Sequence, residues 1–150
     1  MIQRIQTVYL LLVAVLMIVA MALPVGSFYT VTDVFGMTNL YYTLPDGTMN
    51  YSSCVLFILL AVAAVVSIIT IFLYRKRKRQ IRLTVMNSIV LVAYYLAAIY
   101  FILSAEGQDD SGFVPSWSLC LPLISIILNW LAIRAIDKDE MLVKSYDRIR

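Results

Sequence analysis

Four apolar runs punctuated by short polar segments divide the chain: residues 7–23, 53–74, 83–104 and 116–136. Each is about twenty residues long, which at about 1.5 Å per residue makes a helix of roughly 30 Å, the thickness of a bilayer's hydrocarbon. Pro24 and Gly26 stop the first run, since neither continues a helix. Residues 75–82 leave room only for a tight antiparallel link between the second and third runs. The pattern predicts an all-α membrane protein, a four-helix bundle forming one integral domain over residues 1–150, with nothing resembling a linker or an internal repeat.

The intervening segments differ in character. The loop at 25–52 carries β-prone stretches at 28–32 and 40–44, then Pro45-Asp46-Gly47, where Pro presets φ, Asp caps and Gly takes a positive φ. Residues 48–51 can return as a partner strand, so a small β-hairpin or a three-stranded sheet is expected on the mouth of the bundle. Phe28, Tyr29, Tyr41, Tyr42 and Tyr51 in this loop suit an interfacial aromatic belt or a partner surface. The loop at 105–115 is short and acidic and reads as solvated; Asp109-Asp110 lacks the further oxygen ligands that a cation needs. In the tail at 137–150, Asp137 with Glu140 three residues on resembles a helix start. Glu140 and Lys144 are an i, i+4 pair, and Leu142, Tyr146 and Ile149 make one apolar stripe, which predicts a short amphipathic helix.

Charge then orients the bundle. All 12 basic residues fall in segments that share one side: Arg4; Arg75, Lys76, Arg77, Lys78, Arg79 and Arg82; and Arg134, Lys138, Lys144, Arg148 and Arg150. The opposite segments carry Asp33, Asp46, Glu106, Asp109 and Asp110 and no base. By the positive-inside rule both termini are cytoplasmic, with 25–52 and 105–115 as outer loops. Only 14% of residues are charged and 62% are hydrophobic, far from the composition of a soluble domain. The net charge of +3 needs no nucleic acid: the 75–82 run is held in too short a link to track a duplex and is expected to contact anionic lipid. The first run exceeds a signal-peptide core and is expected to be retained as a span.

Candidate chemistry is sparse. There is no His, which excludes His-dependent nucleophilic triads, and two Cys alone make no thiolate metal cage. No acid or base lies in the middle of any span, which argues against proton relays and ion-coupled carriers. No cofactor and no catalytic or metal-binding residue is expected. An enzyme would need paired carboxylates or an activated nucleophile, and Asp109 with Asp110 is too little. Asn50-Tyr51-Ser52 matches a glycosylation acceptor, a frequent chance match.

The polar residues inside the spans are the remaining signal. Asn87 on span three and Asn129 on span four fall at about one depth. Asn87, Tyr94 and Phe101 share a face, as do Pro122, Ser125 and Asn129. An unpartnered Asn in hydrocarbon is costly, so these groups should face one another as packing glue or line a small polar cavity. Ala61, Ala64, Ser67, Ala93 and Ala97 suit close helix packing. Pro122 is expected to kink span four. Cys54 and Cys120, near the outer ends of spans two and four, allow a disulfide or two separate apolar thiols.

The opening MIQRIQTVYLLLVAVLM, the spacing of the four spans and the ending DKDEMLVKSYDRIR resemble a family of small four-helix bacterial inner-membrane proteins known only as a domain of unknown function. The resemblance covers essentially the whole chain. Its most specific parts are Ile2 to Gln6 and Lys144, Ser145, Asp147, Arg148 and Arg150. It implies a bacterial inner-membrane location and supplies no activity. Patterned ends on structural spans point to a non-enzymatic accessory or scaffold subunit binding another membrane or membrane-proximal protein. Gln3, Arg4, Lys144, Asp147 and Arg148 are the expected inner contacts, and Tyr41 and Tyr42 the outer ones. The second reading is a transporter or binder of a neutral or lipid-like solute, using Asn87, Tyr94, Ser125 and Asn129 between spans three and four.

Overall fold

A computed structural model describes residues 3–30, 33–44, 46–73, 77–106 and 112–147. Helix α1 (Gln3–Ala22) is followed by strands β1 (Pro24–Tyr29), β2 (Val34–Thr38), β3 (Tyr42–Thr43) and β4 (Met49–Asn50). Then come α2 (Cys54–Phe72), α3 (Arg77–Glu106), β5 (Gly112–Pro115) and α4 (Cys120–Asp147). Four helices are long and apolar enough to cross a membrane, as the apolar runs predict. Each sequential pair is antiparallel, and α4 returns to pack on α1, so the helices form a ring in which α1 lies diagonal to α3 and α2 to α4.

The buried positions explain the packing. The seam runs through Gln6, Leu10, Val13, Met17 and Ala20 on α1, with Ala14 buried beside it, and through Leu56, Leu60, Ala63, Ser67 and Thr70 on α2, with Ala64 buried beside it. On α3 it runs through Gln80, Thr84, Asn87, Leu91, Tyr94 and Ala98, and on α4 through Leu121, Ser125, Asn129, Ala132 and Ile136. Spacings of three and four alternate along α1, α2 and α3, giving these helices a narrow seam of period close to 3.5, the repeat of left-handed helix packing, while α4 steps by four, four, three and four. Small seam residues such as Ala20, Ala63, Ala98 and Ala132 let the backbones approach closely. The outward faces are broadly apolar, with Ile58, Ile89, Leu96 and Leu103 exposed, as expected of helices that meet lipid.

The boundaries depart from expectation in three places. Helix α3 begins at Arg77, so Arg77, Lys78, Arg79 and Arg82 lie on its first turns rather than in a loop. Helix α4 runs unbroken to Asp147, so the expected separate tail helix is a continuation of span four. The segment Asp137-Lys138-Asp139-Glu140 contains neither Gly nor Pro, and its residues are tolerated inside a helix as well as at its start. Pro122 falls in the first turn of α4, where a missing N–H breaks no helical hydrogen bond, so the kink expected there has no cause.

The sheet is larger than a hairpin. Its five antiparallel strands run in the order β4-β3-β2-β1-β5, and β5 comes from the segment read as a solvated acidic loop. That segment joins because β1 offers a backbone with no side chain at Gly26: a Cβ there would stand 2.3 Å from the Phe113 ring and 2.7 Å from the Val114 carbonyl. Phe113 fills the space and meets Phe28 at 5.0 Å between ring centroids. The turn at Asp46-Gly47 forms as expected, with Gly47 at φ +74° and its N–H donating to the Leu44 carbonyl.

Candidate functional site

Two polar constellations stand out, one at the sheet end of the bundle and one within it. The first centres on Asn39, which follows β2 and is 2% exposed. Its Nδ2 donates to the Ala20 carbonyl at 2.8 Å and the Leu23 carbonyl at 3.3 Å, satisfying acceptors that the end of α1 leaves free. Its backbone carbonyl accepts from Phe57 near the start of α2 at 3.2 Å. Its Oδ1 accepts the Tyr94 hydroxyl of α3 at 2.9 Å. One loop residue therefore ties three helices. The fourth is joined beside it: Tyr95 donates to the Leu119 carbonyl at 2.5 Å just before α4. Ser118 donates its hydroxyl to the Pro24 carbonyl, and the Ser116 N–H donates to the Val25 carbonyl at 2.9 Å. Val25, Phe28 and Met37 of the sheet pack into the same cluster as Met17, Leu56 and Leu60 of the helices. Sequence reasoning missed Asn39, because a single loop Asn carries no periodicity; the one hint is that the flanking strand propensity leaves it without an obvious turn role.

The second constellation occupies the helical seams. On α1, α2 and α3 the polar seam positions (Gln6; Ser67 and Thr70; Gln80, Thr84 and Asn87) gather in the half away from the sheet. Gln6 donates to the Ala135 carbonyl of α4 at 3.1 Å. Asn87 Nδ2 donates to Ser67 Oγ at 2.9 Å, and Ser67 donates onward to the Ala63 carbonyl. Asn87 and Asn129 are both buried, as expected, but no hydrogen bond joins them. Asn87 turns to α2 instead, and its Oδ1 is left without a partner, as are both polar atoms of Asn129. Ser125 does not relieve them, because its hydroxyl donates to the Leu121 carbonyl one turn back. Tyr94, expected in this cluster, points to Asn39.

The remaining expected residues scatter. Tyr42 accepts from Asn50 Nδ2 at 3.0 Å and packs against the core, while the Tyr41 ring lies tilted against Tyr51 at 6.0 Å between centroids. The large apolar and aromatic side chains exposed at the sheet end include Tyr29, Val34, Leu40, Met49, Tyr51, Val114 and Trp117. Asn50, the acceptor of the glycosylation motif, caps the turn before α2 by accepting from the Ser52 N–H at 2.9 Å. Cys54 and Cys120 are free thiols, the disulfide being absent because they start two diagonal helices. Lys78, Arg79 and Arg82 are exposed. The side chains of Gln3, Arg4, Arg77, Lys144 and Asp147, and Arg75, Lys76, Asp109, Asp110 and Arg148 altogether, lie outside the described residues. No cluster of metal-ligating side chains occurs among the described residues.

Residues 2–149 match the family described as Domain of unknown function (DUF4293). No curated protein matches the chain.

Proposed function

We propose that this chain, which belongs to the DUF4293 family of unknown function, is a non-enzymatic integral membrane protein acting as an accessory or scaffold subunit for another membrane or membrane-proximal protein. It sits in a bacterial inner membrane with both termini cytoplasmic, the charge asymmetry supplying the orientation. The observation that carries the reading is the fastening of the sheet to all four helix ends through Asn39, Tyr95 and Ser118. A sheet held that firmly keeps Tyr29, Tyr51 and Trp117 exposed at fixed positions, and rigid aromatic side chains are what protein interfaces favour. The packed sheet end disfavours a conduit between the helices, so the solute reading survives only as binding within the seam. Lys78, Arg79 and Arg82 at the opposite end suit anionic headgroups.

The test is photo-crosslinking in intact cells from a reactive analogue at position 51 or 117, with position 89 on the outward helix face as control. A discrete crosslinked protein from the sheet positions and none from position 89 supports the scaffold reading. Crosslinks to lipid alone from every position overturn it.

A further inference from the structure

We infer that the seam layer holding Asn129 and Asn87 is a binding site for a small uncharged molecule that both donates and accepts hydrogen bonds, of the kind represented by a primary amide or a small diol. The first step is that Asn87 and Asn129 belong to one layer. The Tyr95–Leu119 hydrogen bond fixes α3 against α4. From that point Asn129 lies about 15 Å along α4 and Asn87 about 12 Å back along α3, at the helical rise of about 1.5 Å per residue. The two are within one helical turn of a common depth, and both point into the bundle, Asn129 at 0% exposure and Asn87 at 1%.

The second step is the balance of donors and acceptors. Asn129 has an amide N–H₂ and a carbonyl oxygen, and Asn87 a carbonyl oxygen, with no partner. The neighbouring hydroxyls cannot supply the missing protons: Ser67 donates to Ala63, Thr84 to Gln80 and Ser125 to Leu121, each onto its own helix. Two acceptors therefore await donors and one amide awaits an acceptor, in a layer closed to solvent, where such groups are ordinarily satisfied. A ligand that only accepts meets one need of the three, whereas a primary amide or diol meets both kinds. The ligand is neutral because no Asp, Glu, Lys or Arg is among the buried residues described, and an unpaired charge at this depth is disfavoured.

The test is thermal unfolding of the full chain in lipid nanodiscs with millimolar acetamide, ethylene glycol or acetone, the last matched in size but accepting only. Acetamide or ethylene glycol raises the midpoint and acetone does not. The shift disappears in Asn129→Val. Asn129→Ala, which removes the same polar atoms without added bulk, gives the same loss should the valine variant fail to fold. A wild-type midpoint indifferent to all three probes, leaving the layer to water or to an Asn87–Asn129 pair, overturns the inference. So does a shift that persists in the Asn129 variants, which would put the probe elsewhere. Neither result bears on the scaffold proposal, whose test reads the sheet end.

Discussion

The Tyr94 hydroxyl donates to Asn39 Oδ1 across 2.9 Å and 55 residues of chain, and this contact decides how the sheet end behaves. Asn39 simultaneously caps the carbonyl end of α1, so the three groups are satisfied together or lost together. Asn39→Ala is expected to lower stability by about 2–4 kcal/mol, since it orphans a buried hydroxyl and two helix-end carbonyls. Tyr94→Phe removes one donor and should cost about 1 kcal/mol. In a double-mutant cycle read by thermal unfolding in micelles, the two changes should be less than additive by at least about 0.5 kcal/mol. Strict additivity would show that the contact carries no coupling.

The position of β5 rests on Gly26. Gly26→Ala places a methyl group 2.3 Å from the Phe113 ring and 2.7 Å from the Val114 carbonyl. The ring can turn aside but the backbone cannot, so the strand must move. Overpacking of this kind costs about 1–3 kcal/mol, and the amides that β5 pairs with β1 should lose hydrogen-exchange protection while those within α2 keep theirs. Adding Phe113→Ala should restore only part of the loss, because the carbonyl contact remains.

These two residues also mark where reading the chain by pattern stops. The helical seams are legible because spacings of three and four residues recur in every helix, and Asn87, Ser125 and Asn129 stand on them. Asn39 and β5 are not legible: each is fixed by a partner tens of residues away, and nothing local at Asn39 or at residues 112–115 announces it. The tail misleads for a different reason. Asp137 and Glu140 have the spacing of a helix start, yet a helix that has already begun passes through the same residues without penalty.

Asn50 should not be a carbohydrate acceptor even where the machinery is present. Its Oδ1 accepts the Ser52 N–H and hydroxyl, and its Nδ2, the atom that a sugar would take, donates to Tyr42. Asn50→Ala should therefore lower the unfolding midpoint by the equivalent of about 1 kcal/mol, the usual worth of a cap. Electrophoretic mobility of the native chain should be unchanged by glycosidase treatment.

Cys54 and Cys120 begin diagonal helices and are free thiols. Reducing and non-reducing gels should show one mobility, and a membrane-permeant maleimide should label both residues, the exposed Cys120 faster than the partly buried Cys54. Replacing both with Ala should shift stability by no more than about 0.5–1 kcal/mol, the range for small losses of packing at sites without a covalent tie. A mobility change on reduction would mean that the helix order around the ring is wrong.

Ser67 offers the cleanest test of the polar seam, because it is the partner that holds Asn87 Nδ2 and itself donates to Ala63. Ser67→Ala removes little volume but leaves the Asn87 amide with nothing to bond. The expected cost is about 1–2 kcal/mol, set by the stranded donor rather than by the lost hydroxyl. Asn87→Leu in the same chain removes the stranded group as well, so the double variant should be more stable than Ser67→Ala alone, the extra bulk of Leu setting how much is recovered. Asn87→Leu alone should cost less than Ser67→Ala, since Ser67 keeps its bond to the Ala63 carbonyl. If instead the double variant is the least stable of the three, Asn87 has other partners in the seam and the polar groups act as a network whose members cannot be removed in pairs.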